Sequence, residues 1–71
     1  MSLICQGKTA WPELVGESGD FAVKTIEEEN TLVTAIIVPP SQTAIPGDFS
    51  CSRVFVFVSD EGVVTRVPVV F

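Results

Sequence analysis

The sequence predicts an α+β domain in which a single helix packs on a small mixed β-sheet. Three features of the 71-residue chain indicate this fold class. Residues 18–30 have the apolar spacing of a helix. Two runs rich in β-branched residues, 33–38 and 53–58, are typical of strands. Residues 39–50, between these runs, show neither the helical nor the strand periodicity of apolar residues. They also contain three prolines, so we expect a long loop there.

The chain begins with an irregular arm, residues 5–16, that is expected to contain one short helical turn. Pro12 suits the first position of that turn, because its missing N–H would be unpaired there in any case. Trp11, Leu14 and Val15 are the apolar side chains expected to hold the arm against the body of the domain.

The main helix is predicted to start after Ser18, a favoured N-cap residue, and to run to about Asn30. Ala22 and Ile26 fall on one face, which we expect to contact the sheet. The three consecutive glutamates at residues 27–29 could suggest a cation site. No further ligands converge on them in the sequence, and a solvated helix face is the favoured interpretation.

The second half of the chain predicts the sheet. The run 33–38 suits a buried strand, and 53–58 is the strongest strand pattern in the sequence. Residues 59–62 are expected to form a turn, after which 63–70 return as a strand interrupted by Pro68. A parallel crossover between the first two strands and an antiparallel return together give the mixed sheet. We expect the whole chain, 1–71, to form one domain.

The charge balance argues against several classes of partner. Four basic residues against nine acidic ones give a net charge of −5. Nucleic acid and anionic membrane surfaces are therefore not expected partners, because both bind through clustered Lys and Arg. No apolar run approaches the roughly 18 residues of a membrane span. No signal peptide is visible at the amino terminus.

Catalytic chemistry is not expected either. The chain contains no His, so neither a Ser-His-Asp nor a Cys-His nucleophile can be assembled. No glycine-rich phosphate loop follows a strand. We therefore expect no enzyme activity, no cofactor and no metal site.

The two cysteines, Cys5 and Cys51, lie far apart in the chain. A zinc site is disfavoured because about four ligands are needed, and a redox pair because Cys-x-x-Cys spacing is absent. A structural disulfide and two unpaired buried thiols are the alternatives, and the disulfide is favoured. If formed, it would stabilise the fold by about 4 kcal/mol in the chain-entropy account.

Four motifs follow one another in the sequence. Residues 5–16 read Cys-Gln-Gly-Lys-Thr-Ala-Trp-Pro-Glu-Leu-Val-Gly, and residues 26–30 read Ile-Glu-Glu-Glu-Asn. Residues 48–54 read Asp-Phe-Ser-Cys-Ser-Arg-Val, and residues 62–68 read Gly-Val-Val-Thr-Arg-Val-Pro. In content and order these motifs resemble the potato inhibitor I family of plant serine protease inhibitors, over nearly the whole chain.

The resemblance implies an inhibitor that presents its long loop, exposed and extended, as a substrate mimic. It also implies a disulfide between Cys5 and Cys51, which favours an extracellular or vacuolar location. The implied scissile bond joins Gly47 to Asp48. The residues implied to contact the protease around that bond are Thr43, Ala44, Ile45, Pro46 and Phe49.

Loop support is expected from two residues that follow the bond, Arg53 and Ser50. In the family pattern the acidic residue after the bond pairs with arginines, so the Asp48 carboxylate is expected to pair with Arg53. Ser50 stands where the family often has Arg, and Phe55 stands where it often has Arg or Trp. The loop is also one residue longer than usual before the bond, near residues 41–42.

Gly47 offers no side chain to the primary specificity pocket of a protease. We therefore expect a subtilisin-, elastase- or chymotrypsin-like target rather than trypsin, bound by a monomeric inhibitor. The alternative is a family member that keeps the fold, inhibits weakly or not at all, and acts as a binding or defence protein or as a scaffold.

Overall fold

A three-stranded mixed sheet forms the centre of the computed structural model, which describes residues 5–42 and 45–71. Its strands are β1 (Thr34–Val38), β2 (Arg53–Phe57) and β3 (Val69–Val70), in the spatial order β1-β2-β3. β1 runs parallel to β2, and β3 runs antiparallel to it. The predicted mixed topology is therefore confirmed.

The single α-helix of the described residues, α1 (Gly19–Glu29), begins where the sequence predicts it. The Ser18 hydroxyl accepts a hydrogen bond from the Phe21 N–H at 3.1 Å, which satisfies one free donor of the first turn. A Cβ at Gly19 would lie only 3.0 Å from Val58 Cγ1, so glycine allows the start of α1 to approach the sheet closely. Within the described ranges, no helix is long and apolar enough to cross a membrane.

The hydrophobic core lies between α1 and one face of the sheet. Val54 and Val56 belong to this face, whereas Phe55 and Phe57 alternate to the other, because successive side chains of a strand point to opposite faces. The core is formed by Trp11, Leu14, Ala22, Ile26, Val33, Val54, Val56, Val58, Val64 and Val70. The predicted helix–sheet contact is thus confirmed, and the second face of the sheet is left for the long loop.

The arm packs through a 3₁₀ turn, Pro12–Leu14, with proline at its first position as predicted. Trp11 and Leu14 are almost completely buried. The prediction for Val15 is wrong, since its side chain is 45% exposed. A 3₁₀ turn has three residues per turn, so Leu14 follows Trp11 on the buried side and Val15 turns to solvent.

Asn30 fastens the arm to the end of α1. Its buried side-chain Nδ2 donates to the main-chain oxygens of Gln6 and Lys8, each at 3.0 Å. Its Oδ1 accepts from the Leu32 N–H at 3.0 Å. Gly7 has a φ of +77°, and a Cβ there would lie 3.0 Å from Asn30 Nδ2. Glycine is therefore needed for the arm to wrap around this amide.

Two of the three glutamates at the end of α1 also bind specific donors, which the expectation of a solvated face did not include. Glu29 Oε1 accepts from Trp11 Nε1 at 2.9 Å and from Lys8 Nζ at 3.0 Å. Glu27 Oε2 accepts from the Ala35 N–H at 2.9 Å. That N–H lies on the free edge of β1, because the preceding N–H, of residue 34, points toward β2.

Lys8 forms a second ion pair with Glu13, at 2.5 Å, on the surface of the arm. The hydrogen bond from Lys8 holds the pKa of Glu13 below its usual value. The hydrogen bonds to Glu13 and then Glu29 raise the pKa of Lys8 above its usual value. Both groups are exposed, so the pair orients the arm in solvent and adds little to stability.

β1 is an edge strand, and the expectation of a buried strand is wrong for most of it. Ile36 and Ile37 are 38% and 37% exposed, and only Val38 is fully buried. An apolar run in the sequence indicates a strand but does not show whether a neighbour lies on both of its sides.

The predicted return strand, 63–70, pairs continuously only over β3. Upstream of β3 the chain makes isolated bridges, at Val63 and Val64. Pro68 has no N–H to donate, and its carbonyl accepts from the Trp11 N–H at 2.9 Å. The arm pairs with the edge of β3 that faces away from β2, through this bond and the one from the Val70 N–H to the Thr9 main-chain oxygen at 2.9 Å.

Candidate functional site

The long loop connects the end of β1 to the start of β2. Because the two strands are parallel and Thr34 pairs with Arg53, the chain has to travel back along the whole length of β1. Residues 39–42 and 45–52 make this return without helix or strand. Two predicted protease contacts, Thr43 and Ala44, lie outside the described residues.

Gly47 and Asp48 are both exposed, as is Pro46 before them. A Cβ built on Gly47 meets no atom within 4 Å. Its φ lies outside the left-handed range, so a side chain at this position would meet neither a neighbour nor backbone strain. Residue 47 is therefore accessible to a partner and does not contribute to the packing of the domain.

Arg53 reaches the loop from the first position of β2. Its Nη2 donates to the main-chain oxygen of Asp48 at 2.6 Å and to that of Phe71 at 3.3 Å. The expected ion pair with the Asp48 carboxylate is not formed, and within residues 5–42 and 45–71 that carboxylate has no ion-pair partner. The arginine thus fixes the backbone after the predicted scissile bond, rather than the side chain.

The guanidinium of Arg53 is oriented by an aromatic ring. Its centre lies 5.1 Å from the centroid of Phe55, which occupies the same sheet face two residues further along β2. The Arg53 Nε–H is buried and has no acceptor among the described atoms. Stacking and the two main-chain oxygens together fix the orientation of this side chain.

Ser50 acts at the base of the loop rather than near the predicted scissile bond. Its N–H donates to the Phe71 main-chain oxygen at 2.5 Å. Its hydroxyl accepts from the Ser52 N–H at 3.2 Å and lies 2.9 Å from the Ser52 hydroxyl. These contacts shape the turn that leads into β2.

Phe49 directs its ring toward the body of the domain. The ring is edge-on to Phe71, at 84° and with centroids 6.2 Å apart, and remains 50% exposed. Phe71 in turn contacts Phe55, with centroids 6.3 Å apart. The segment after Asp48 is therefore held on an aromatic surface as well as by Arg53.

A disulfide between Cys5 and Cys51 joins the arm to the end of the loop, just before β2. This pairing confirms the expectation carried by the resemblance. Together with the Asn30 contacts, it connects the loop to the arm, and through the arm to α1.

Comparison with known proteins identifies the family to which this chain belongs. The model of the potato inhibitor I family matches residues 5–71. The chain is a member of the potato inhibitor I family.

Related members share both sequence and fold with this chain. A proteinase inhibitor of Linum usitatissimum is 55% identical over 64 residues, which cover 90% of this chain and 91% of the relative. A Glu S. griseus protease inhibitor of Momordica charantia is 46% identical over 66 residues, covering 93% and 96% of the two chains. The crystal structure of a bitter gourd trypsin inhibitor is similar with a TM-score of 0.90 at 42% identity, covering 97% of this chain and 100% of the other.

The family fixes the kind of function. Potato inhibitor I proteins are protease inhibitors, and the two relatives and the solved structure are named as such. The predictions of a serine protease inhibitor, and of a protein that is not an enzyme, are therefore confirmed at that level. Which bond is presented and which protease is bound are separate questions.

Sequence reasoning did not identify two residues beside the loop, Arg66 and Phe71. The Arg66 guanidinium lies 4.0 Å from the centroid of the Phe57 ring. Arg66 and Phe57 together border two grooves, of about 670 and 240 Å³, that Ile45 also lines. Ile45, a predicted contact residue, is only partly exposed. The alternation Arg-Val-Phe-Val-Phe in β2 signals a shared face for Arg53 and the two phenylalanines, but nothing local signals Arg66.

Proposed function

We propose that this inhibitor presents the bond between Gly47 and Asp48 to a serine protease as a substrate-like bond. The hydrogen bond of 2.6 Å from Arg53 to the Asp48 main-chain oxygen carries the proposal. It fixes the backbone directly after the bond, while residue 47 has open space around it. A loop already ordered before docking loses little conformational entropy when it binds.

The chemistry follows from this arrangement. When the protease serine attacks the Gly47 carbonyl carbon, the C–N bond to Asp48 breaks and the Asp48 amine takes up the proton. Water would complete hydrolysis of the acyl-enzyme, whereas attack by the same amine restores the original bond. Arg53, the Phe49–Phe71 contact and the Cys5–Cys51 disulfide hold the new amino terminus close by. Resealing therefore competes with hydrolysis.

The proposed target is a protease that accepts a small residue before the scissile bond. Gly47 cannot reach an acidic specificity pocket of the trypsin type, so the anchor that a Lys or Arg would supply is missing. Subtilisin-like, elastase-like and chymotrypsin-like proteases are the proposed partners. The relatives described above are named for different proteases, which fits one fold whose target depends on the exposed loop.

The test is an inhibition panel with trypsin, chymotrypsin, elastase and subtilisin, followed by identification of the cut. Prolonged incubation with a catalytic amount of the inhibited protease is expected to yield a nicked protein held together by the disulfide. Mass spectrometry after reduction should then show fragments ending at Gly47 and starting at Asp48. A cut between Ala44 and Ile45 would show that the loop presents another bond, and no inhibition of any protease would favour the weakly inhibiting alternative.

A further inference from the structure

We propose that Arg66, stacked on Phe57, is a positioning residue for the part of the loop that precedes the Gly47–Asp48 bond. The inference rests on the proposed function, because it concerns the two ends of that bond. The guanidinium centre lies 4.0 Å from the Phe57 centroid. Ile45, two residues before Gly47, borders the same two grooves as Arg66 and Phe57.

The sheet face below the loop carries two arginine–phenylalanine stacks side by side. Phe55 and Phe57 alternate along β2 and therefore lie on the same face. Arg53 stacks on the first ring and Arg66 on the second. Arg53 already bonds the backbone after the scissile bond, and Arg66 lines the same two grooves as Ile45, which precedes that bond. The two stacks bracket the proposed scissile bond.

Arg66 keeps its hydrogen-bonding capacity in the unbound inhibitor. A guanidinium has five N–H donors, and within the described residues those of Arg66 make neither a hydrogen bond nor an ion pair. Stacking on Phe57 fixes the plane of the group without using these donors. They are available to main-chain oxygens of the loop segment that Ile45 belongs to.

This arrangement gives each side of the bond its own attachment to the sheet. After cleavage the segment starting at Asp48 stays on Arg53 and Phe71, and the segment ending at Gly47 stays near Arg66 and Phe57. Resealing needs both segments close together. Loss of Arg66 should therefore release the Gly47 end and shift the balance between intact and cut inhibitor toward the cut form.

The test compares Arg66→Ala and Arg66→Lys with a control, Lys24→Ala. Lys24 is exposed on α1, which packs on the opposite face of the sheet from Arg66. Its replacement by alanine removes one positive charge, as Arg66→Ala does. The equilibrium ratio of intact to cut inhibitor is measured with the protease found in the panel, starting from either form. We expect Arg66→Ala to lower this ratio about tenfold, equivalent to about 1.4 kcal/mol, with a near wild-type Tm. Arg66→Lys should recover part of the loss, and Lys24→Ala should match the wild type.

Equal ratios for Arg66→Ala and Lys24→Ala would overturn the proposal, even if the Tm of the Arg66 variant fell. A second measurement, made without protease, tests the positioning role of Arg66 independently of the proposed function. Because Arg66 and Ile45 line the same two grooves, loss of the Arg66 side chain removes packing beside the loop even in the free inhibitor. The ¹⁵N order parameters of the Ile45 and Gly47 amides should therefore fall in Arg66→Ala and not in Lys24→Ala. If the wild type inhibits no protease, the proposed function fails, and unchanged order parameters would then overturn the positioning role of Arg66 independently.

Discussion

Arg53 donates its 2.6 Å hydrogen bond to the main-chain oxygen of Asp48, while the Asp48 carboxylate makes no ion pair within the described residues. The contact that supports this loop is therefore a hydrogen bond from a side chain to the backbone. A main-chain oxygen is present whatever residue occupies position 48. The arginine, in contrast, has no substitute at its position.

Arg53→Ala is expected to raise the rate at which a bound protease cuts the loop by about tenfold to a hundredfold, because a hydrogen bond from a charged group contributes about 1.5–3 kcal/mol. Asp48→Asn retains the main-chain oxygen and should change this rate by no more than about twofold. Both rates can be followed by mass spectrometry of the nicked protein. Equal acceleration in the two variants would show that the carboxylate, and not the carbonyl, supports the loop.

Substitution of Gly47 should change which protease is inhibited. Gly47→Arg is expected to gain about 30-fold to 1,000-fold against trypsin, since a buried charged anchor contributes roughly 2–4 kcal/mol. Gly47→Leu should gain against chymotrypsin and subtilisin instead. The open space around Gly47 predicts that neither variant loses stability. Inhibition constants for both variants on all three proteases provide the measurement, and an identical preference in the two would exclude residue 47 as the anchor.

Asn30→Ala should destabilise the fold by about 2–3 kcal/mol, because it leaves the Gln6 and Lys8 carbonyls without their donor. Thr31→Ala, at the exposed neighbouring position, is the control and should stay within about 0.5 kcal/mol. Urea denaturation gives both values. A small effect for Asn30→Ala would mean that solvent replaces the amide and that the arm is held mainly by Trp11 and the disulfide.

Reduction of the Cys5–Cys51 disulfide should lower the free energy of unfolding by about 2–4 kcal/mol, because a long segment of the unfolded chain is released. The double variant Cys5→Ala, Cys51→Ala should show the same loss without reductant. Denaturant curves of the oxidised, reduced and substituted proteins test this. Two thiols that react with an alkylating reagent in the native, non-reduced protein would contradict the pairing itself.

The ion pair between Lys8 and Glu13 predicts a small pH-dependent contribution to stability. The lowered pKa of Glu13 means that its contribution is complete above the usual value of 4.5 and is lost as the pH falls through the lowered pKa. The raised pKa of Lys8 means that its contribution is complete below 10.5 and is lost as the pH rises through the raised pKa. The Tm of Glu13→Gln should therefore lie slightly below wild type at neutral pH. The two should converge in strongly acidic solution, and a constant difference would assign the effect to something other than charge.

The order and type of the elements could be predicted because their signals are local. Ser18 caps α1 as expected, and Pro12 starts the 3₁₀ turn. The β-branched run of β2 is flanked by turn residues on both sides. Each of these signals needs only a few neighbouring residues, and local patterns of that kind are the ones that a sequence displays directly.

What could not be predicted depends on partners far away in the chain. The ties from Glu29 to Lys8 and Trp11, and from Asn30 to the arm, link residues more than fifteen positions apart. The stack of Arg66 on Phe57 brings the return segment beside the loop. Residue type gives no indication of such pairings, because a glutamate on a helix is more often solvated. The resemblance to a family supplied the Cys5–Cys51 pairing and the loop, but not the contact of Arg53 with a main-chain oxygen.

Glu27 occupies an outward N–H on the free edge of β1. An edge strand offers unpaired N–H groups to which a strand from a second molecule can add, which is how sheets grow into aggregates. Here the outward Ala35 N–H is already occupied by a carboxylate, whose negative charge also repels an approaching backbone oxygen. Loss of the Glu27 carboxylate would expose this N–H and give a strand of a second molecule one more donor on which to add.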